Sequence, residues 1–114
     1  MILIMDIFLH TMQQNIEVNL MNRLIEQYRD QIRMLALRRG LLNVRLFGSM
    51  TREDATEESD VDLLVELEAG RSGLALGGFL EDVSDLLGRR VDVVTENALH
   101  PRIREKVLNE AIRL

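Results

Sequence analysis

The segment SDVDLLVELE, residues 59–68, constrains the fold more than any other part of this sequence. Hydrophobic residues fill every second position, which is the period of a β-strand with one buried face. The two faces of this strand hold Val61, Leu63, Val65 and Leu67 on one side and Asp60, Asp62, Leu64 and Glu66 on the other. The segment therefore predicts a strand that presents carboxylates on one face of a sheet.

Other segments show helical or strand periodicity of the same clarity. The predicted helices cover 21–36, 79–87 and a segment that begins near Pro101, and the further predicted strands cover 42–47 and 90–97. The glycine-rich stretch 69–78 predicts a loop with a helix starting late in it. In the final helix we expect His100 to precede or cap the first turn. The residues expected to face inward there are Ile103, Val107, Leu108 and Ala111.

This order of elements predicts an α+β fold, a small mixed β-sheet flanked by helices mainly on one face. With 114 residues the chain is long enough for one domain with a single core. We expect residues 1–39 to form an N-terminal extension and a leading helix, and residues 40–114 to form the core of what is a single domain overall.

Composition excludes several classes of protein. The net charge of −5 and the 4% aromatic content argue against a protein that binds nucleic acid along its backbone or by base stacking. The absence of cysteine excludes disulfides and thiolate metal sites. The apolar start MILIMDIFL is too short to span a membrane and lacks the features of a signal peptide. We therefore expect a cytoplasmic protein without a membrane partner.

Excess negative charge is concentrated in residues 50–62, which carry six carboxylates and one base, Arg52. Within this segment Asp60 and Asp62 would lie on one face of the predicted strand, about 7 Å apart along the chain. Two carboxylates this close repel each other unless a cation lies between them, and such oxygen ligands suit Mg²⁺. For an isolated pair of this kind, a solvated strand end is the more common explanation.

Three further residues bear on the same site. Gly48 allows a close approach of the backbone to a ligand, and Ser49 offers a hydroxyl and an N–H group to a phosphate. Arg52 either reaches a phosphate or pairs with a nearby acid. Asp92 lies in the apolar run of the strand 90–97 and would join Asp60 and Asp62 if the two strands were neighbours; otherwise it faces water at a sheet edge.

The combination of these residues resembles a known family. Gly48-Ser49, ten intervening residues and Asp60-x-Asp62 match the GS-x10-DxD signature of the DNA polymerase β-like nucleotidyltransferase superfamily. VRLFGSMTREDATEESDVDLLVEL and LLGRRVDVVTENALHPRIREKVLNEAIRL resemble the minimal nucleotidyltransferases of bacteria and archaea. The resemblance extends over residues 40–114, with Met50, Thr51 and Glu53 standing where the family often has arginine, alanine and glycine.

The resemblance implies a function and a set of roles. Gly48, Ser49 and Arg52 would bind the nucleotide, and Asp60, Asp62 and Asp92 would hold two Mg²⁺ ions and catalyse the reaction. ATP would be the substrate. The chain would transfer AMP to a tyrosine hydroxyl of a HEPN-domain toxin and so act as its antitoxin.

Two alternatives stay open at this point. The chain could be a catalytically weak module that neutralises a toxin ribonuclease by docking on it, since acidic residues can occlude a basic surface. Transfer to a small molecule is a third interpretation, although enzymes of that kind usually carry an additional substrate domain. The acceptor, the nucleotide preference and self-association are not specified by the sequence.

Overall fold

The computed structural model describes residues 23–51 and 59–114. The helices are α1 (23–38), α2 (Leu74–Leu87) and α3 (Pro101–Glu110), and the strands are β1 (Leu41–Phe47), β2 (Val61–Leu67), β3 (Val91–Thr95) and β4 (Ile112–Arg113). Short 3₁₀ turns cover Gly48–Thr51 and Glu96–Ala98. The predicted strand 90–97 was therefore too long, because the chain turns at Glu96 instead of continuing along the sheet.

The four strands form one mixed sheet in the order β3-β2-β1-β4. Strand β2 pairs with β3 in parallel and with β1 antiparallel, and β1 also pairs antiparallel with β4. The predicted α+β class with a small mixed sheet is confirmed. Strand β4 was not predicted, since a strand of two residues is too short to show a periodic pattern.

The main hydrophobic core lies between one face of the sheet and the helices α1 and α2. Strand β2 contributes Val61, Leu63 and Val65, each with no exposed surface, as their alternate spacing predicts. The helical residues of this core are Ile25, Ile32 and Ala36 from α1 and Phe79, Val83 and Leu87 from α2. Burial of each large side chain stabilises the fold by about 1.5–3 kcal/mol. Helix α1 is thus packed on the sheet, while the domain division at residue 39 stays a prediction.

Helix α3 covers part of the opposite face of the sheet. Its Val107 is buried with Leu64 of β2 and with Leu99, and half-buried Phe47, Val94 and Leu108 surround this small cluster. His100 caps the helix as predicted, because its Nδ1 accepts a hydrogen bond of 3.1 Å from the Arg102 N–H. Ile103 was wrongly predicted to face inward. It is 47% exposed, since the apolar contacts of α3 begin one turn later, at Val107.

Helix α2 begins earlier than the glycine content of 69–78 suggested, at Leu74, and includes both Gly77 and Gly78. The Arg39 guanidinium lies directly against Gly78, where a Cβ would collide with it. From there the Arg39 Nε donates a hydrogen bond of 2.6 Å to Asp82 Oδ2. This ion pair joins the end of α1 to α2. No helix within the described ranges is long and apolar enough to cross a membrane.

Candidate active site

Strands β2 and β3 bring two of the predicted site residues side by side. In their parallel pairing Asp62 lies directly opposite Asp92, on strands whose spacing is about 4.8 Å. Residues paired in this way project to the same face, which is the face that α3 partly covers. Asp62 is half-buried there and Asp92 is exposed. The two strands are thus neighbours, which is the condition under which Asp92 would join Asp62.

Gly48 lies against the Asp62 carboxylate. Strand β1 pairs Phe47 with Asp62, and the next residue, Gly48, turns the chain with a φ of 76°. A Cβ at this position would collide with Asp62 Oδ2, and side chains other than glycine rarely adopt this φ. Both the backbone conformation and the close approach to Asp62 therefore require glycine.

The turn that follows Gly48 is held from inside the protein. The Thr51 hydroxyl donates a hydrogen bond of 2.7 Å to the Gly48 carbonyl, which closes the turn. Met50 is 1% exposed and packs in the main core. Met50 and Thr51, which depart from the usual pattern of the resembled family, thus anchor the segment. The backbone of Ser49 lies in this turn, directly after Gly48.

Asp60 has a different position from the one predicted. Strand β2 begins at Val61, so Asp60 lies just before it and its direction is not set by the strand pairing. The adjoining backbone is fixed by a hydrogen bond of 2.9 Å from the Val61 N–H to the Arg90 carbonyl. The Asp60 Oδ1 atom lies 3.9 Å from Arg90 Nε, and Arg89 donates to the Ser59 carbonyl at 3.4 Å. The two arginines of GRR therefore contact the segment that enters β2.

Asp62 and Asp92 are neighbouring carboxylates, which are side chains of the kind that bind divalent cations. Within residues 23–51 and 59–114, no group of three histidine, cysteine or carboxylate side chains is arranged to hold a metal ion. Mg²⁺ commonly takes only one or two carboxylates and completes its shell with phosphate oxygens and water. Arg52 and the acids Glu53, Asp54, Glu57 and Glu58 lie outside the described residues.

Comparison with known proteins identifies the family. The model of a family described as nucleotidyltransferase domain matches residues 25–114. The chain belongs to the nucleotidyltransferase family. It is 36% identical over 88 residues to a candidate protein adenylyltransferase of Methanocaldococcus jannaschii. This alignment covers 77% of this chain and 95% of the relative. It is 40% identical over 73 residues to the protein adenylyltransferase MntA of Thermococcus cleftensis, covering 64% and 74% of the two chains.

Solved structures agree with this assignment. A candidate minimal nucleotidyltransferase superposes with a TM-score of 0.70 at 46% identity, covering 79% of this chain and 92% of the other. A toxin–antitoxin crystallised with AMP-PNP shares the fold at 20% identity, with a TM-score of 0.62 and coverage of 74% and 69%. The enzyme class of this nucleotidyltransferase is therefore established, and its substrates are a separate question.

Proposed function

We propose that this nucleotidyltransferase transfers AMP from ATP to a hydroxyl group of a partner protein. The observation that carries the proposal is the lateral pairing of Asp62 with Asp92 next to the glycine turn at Gly48. This arrangement offers oxygen ligands for Mg²⁺ and a backbone turn for phosphates in one place. The names of the relatives from M. jannaschii and T. cleftensis, both protein adenylyltransferases, support a protein as the acceptor.

In the proposed reaction the acceptor oxygen bonds to the α-phosphorus of ATP, and the bond from that phosphorus to the oxygen bridging to the β-phosphate breaks. Pyrophosphate leaves with the bonding electrons, and the hydroxyl proton passes to the Asp92 carboxylate. The turn at Gly48 and Ser49, together with Arg52, binds the triphosphate. Asp60, Asp62 and Asp92 would hold two Mg²⁺ ions, which when bound neutralise charge that develops on the phosphate oxygens.

The acceptor that we propose is a tyrosine hydroxyl of a HEPN-domain toxin, which would make this chain an antitoxin. Asp92 is exposed on β3, an edge of the described sheet, so a protein hydroxyl can approach it from solvent. Structures with the same fold are described as toxin–antitoxin complexes, one of them with AMP-PNP. Transfer to a tyrosine would block the toxin by a covalent group.

The test is to incubate the protein with α-labelled ATP, Mg²⁺ and a HEPN-domain toxin as the acceptor. We expect label on the partner, and we expect Asp62→Asn and Asp92→Asn each to lower the labelling rate about a hundredfold or more. Asp85→Asn serves as the matched control, because Asp85 is an exposed carboxylate on α2, across the sheet from the site. Equal labelling by wild type and Asp62→Asn would contradict the proposal.

One observation favours a second function, neutralisation of a toxin by docking without catalysis. Asp60 lies beside Arg90 in the structure, and the described residues hold no preformed group of three metal ligands. A docking module would still neutralise its toxin after the double substitution Asp60→Asn and Asp62→Asn. Loss of neutralisation in that variant, with complex formation retained, decides in favour of catalysis.

A further inference from the structure

Three arginines within the described ranges have a buried side-chain nitrogen without a hydrogen-bond partner: Arg29, Arg45 and Arg104. Two of them use their other nitrogens. Arg29 donates to Glu26 and to the Arg113 carbonyl, both at 3.3 Å, and Arg45 donates to the Asn43 carbonyl at 3.3 Å. Arg104 differs, because within residues 23–51 and 59–114 no hydrogen bond or ion pair engages its side chain.

An unpaired buried nitrogen on a charged group is costly. The loss of hydration is not repaid when no acceptor replaces the water, and the penalty is larger for charged donors than for neutral ones. Native proteins rarely retain such a group without a ligand, an ion or a water that satisfies it. The Nε atom of Arg104 therefore indicates that an acceptor belongs next to α3.

The location of Arg104 indicates which acceptor this is. Arg104 precedes Val107 and Leu108 by one helical turn and lies on the same stripe of α3. That stripe packs against Phe47, Leu64 and Val94, on the face of the sheet that carries the carboxylates. Leu64 and Val94 are each two positions along their strands from Asp62 and Asp92, and Phe47 pairs with Asp62. Helix α3 also lies against the turn at Gly48–Thr51.

Neighbouring basic residues on α3 do not share this position. Arg102 and Lys106 are exposed, whereas Arg104 is half-buried. Only the packing of α3 on the sheet separates Arg104 from the other two.

We propose that Arg104 is a nucleotide-binding residue whose guanidinium binds a phosphate of the triphosphate. A guanidinium offers planar paired donors that match phosphate oxygens, and it stays charged in a partly buried place. The phosphate supplies the acceptor that Nε lacks, and the cation offsets the negative charge of the carboxylates around the nucleotide. This inference rests on the proposed function, since it concerns the same site.

The first test measures binding without turnover. Affinities for a nonhydrolysable ATP analogue with Mg²⁺, and for adenosine, are compared by titration calorimetry in wild type, Arg104→Gln, Arg104→Lys and Arg102→Gln. We expect Arg104→Gln to lower the affinity for the analogue about tenfold or more, which is the size expected for the loss of a charged hydrogen bond. The affinity for adenosine should stay within about twofold of the wild-type value. Arg104→Lys should recover part of the affinity, and the control Arg102→Gln should match wild type.

The second test separates a ligand-binding role from a structural one. Without nucleotide, Arg104→Gln should melt at the same temperature as wild type or higher, because it removes an unpaired buried charge. With the analogue present, the wild type should gain more stability than the variant. A lower melting temperature of the nucleotide-free variant, with unchanged analogue affinity, would show that Arg104 is structural.

The outcomes also distinguish this inference from the proposed function. If Arg104→Gln binds the analogue like wild type while Asp62→Asn abolishes labelling, the inference is wrong and the proposed function stands. If wild type binds no nucleotide with Mg²⁺, both are wrong. If the variant loses only affinity for the partner protein, the missing acceptor is an acidic residue of that partner, and the inference is again wrong.

Discussion

Two adjacent residues of β2 show how differently the two faces of the sheet are built. Leu63 and Leu64 are both completely buried, yet they point to opposite sides. Leu63 belongs to the large cluster that α1 and α2 form on the sheet, whereas among the described residues Leu64 shares its cluster with two other buried residues. The first face stabilises the fold, whereas the second face carries Asp62 and Asp92 beside a small apolar cluster.

The difference shows how so small an enzyme can support two neighbouring carboxylates at its candidate active site. Like charges side by side on paired strands destabilise the folded state unless a cation neutralises them. The apolar layer on the other face offsets this cost, so the carboxylates need not contribute to stability. We expect substitutions on the first face to change folding, and substitutions on the second to change ligand binding.

Substitution of the two leucines tests this division most directly and has the largest expected effect. Leu63→Ala should lower the free energy of unfolding by about 3–5 kcal/mol, because the surrounding core cannot collapse onto the cavity. Leu64→Ala should cost about 2–3 kcal/mol, because α3 can shift toward the vacated space. Urea denaturation of both variants measures these values.

Nucleotide binding should show the opposite order. Under conditions in which both variants are folded, Leu64→Ala should lower the affinity for the ATP analogue severalfold. The reason is that Leu64 joins α3 to β2, the strand that carries Asp62. Leu63→Ala should bind it like wild type. Equal effects of the two substitutions on stability and on binding would show that the faces do not divide these tasks.

Substitution of glycine at the turn tests the second face more finely, with an intermediate effect. Gly48→Ala should destabilise the fold by about 1–2 kcal/mol, because its φ of 76° is unfavourable for alanine. It should also weaken Mg²⁺-dependent nucleotide binding, since the new Cβ displaces the Asp62 carboxylate.

Gly70→Ala is the matched control for this experiment. Gly70 has a φ of 84°, and a Cβ there would meet no atom within 4 Å. It should show a similar loss of stability in urea denaturation with unchanged nucleotide affinity. Equal nucleotide affinities of the two alanine variants would mean that contact with Asp62 is not why glycine occupies position 48.

The parts of this molecule that the sequence predicted are those with a local cause. Alternation specified the buried face of β2, and the adjacency of Asp62 and Asp92 followed from the assumption that their strands pair. The start of β2 was misplaced by two residues, so that Asp60 lies just before the strand, because pairing with β3 rather than local pattern sets that boundary.

Features that depend on distant parts of the chain were not predictable. The glycines of 69–78 favoured a loop with a helix starting late in it, but the Arg39 side chain fills the space beside Gly78 and α2 already begins at Leu74. Burial of Met50 depends on where the turn at Gly48–Thr51 meets the main core. The special position of Arg104 appears only when the path of α3 across the sheet is known. Tertiary packing overrides local preference in each case.

The smallest expected effect concerns pH and belongs to the first face alone. The hydrogen bond from Arg39 holds the pKa of the Asp82 carboxyl below its usual value, although partial burial opposes this. A carboxyl whose pKa is lower in the folded state stabilises the fold above its unfolded pKa of about 4, and this contribution is lost as the pH falls through the folded pKa. The stability difference between wild type and Asp82→Asn should therefore be largest near neutral pH and shrink in acid.

Urea midpoints at several pH values measure this difference, with Asp85→Asn on the same helix as control. A difference that grows in acid would contradict the assignment, and a loss of nucleotide affinity in Asp82→Asn would connect the two faces.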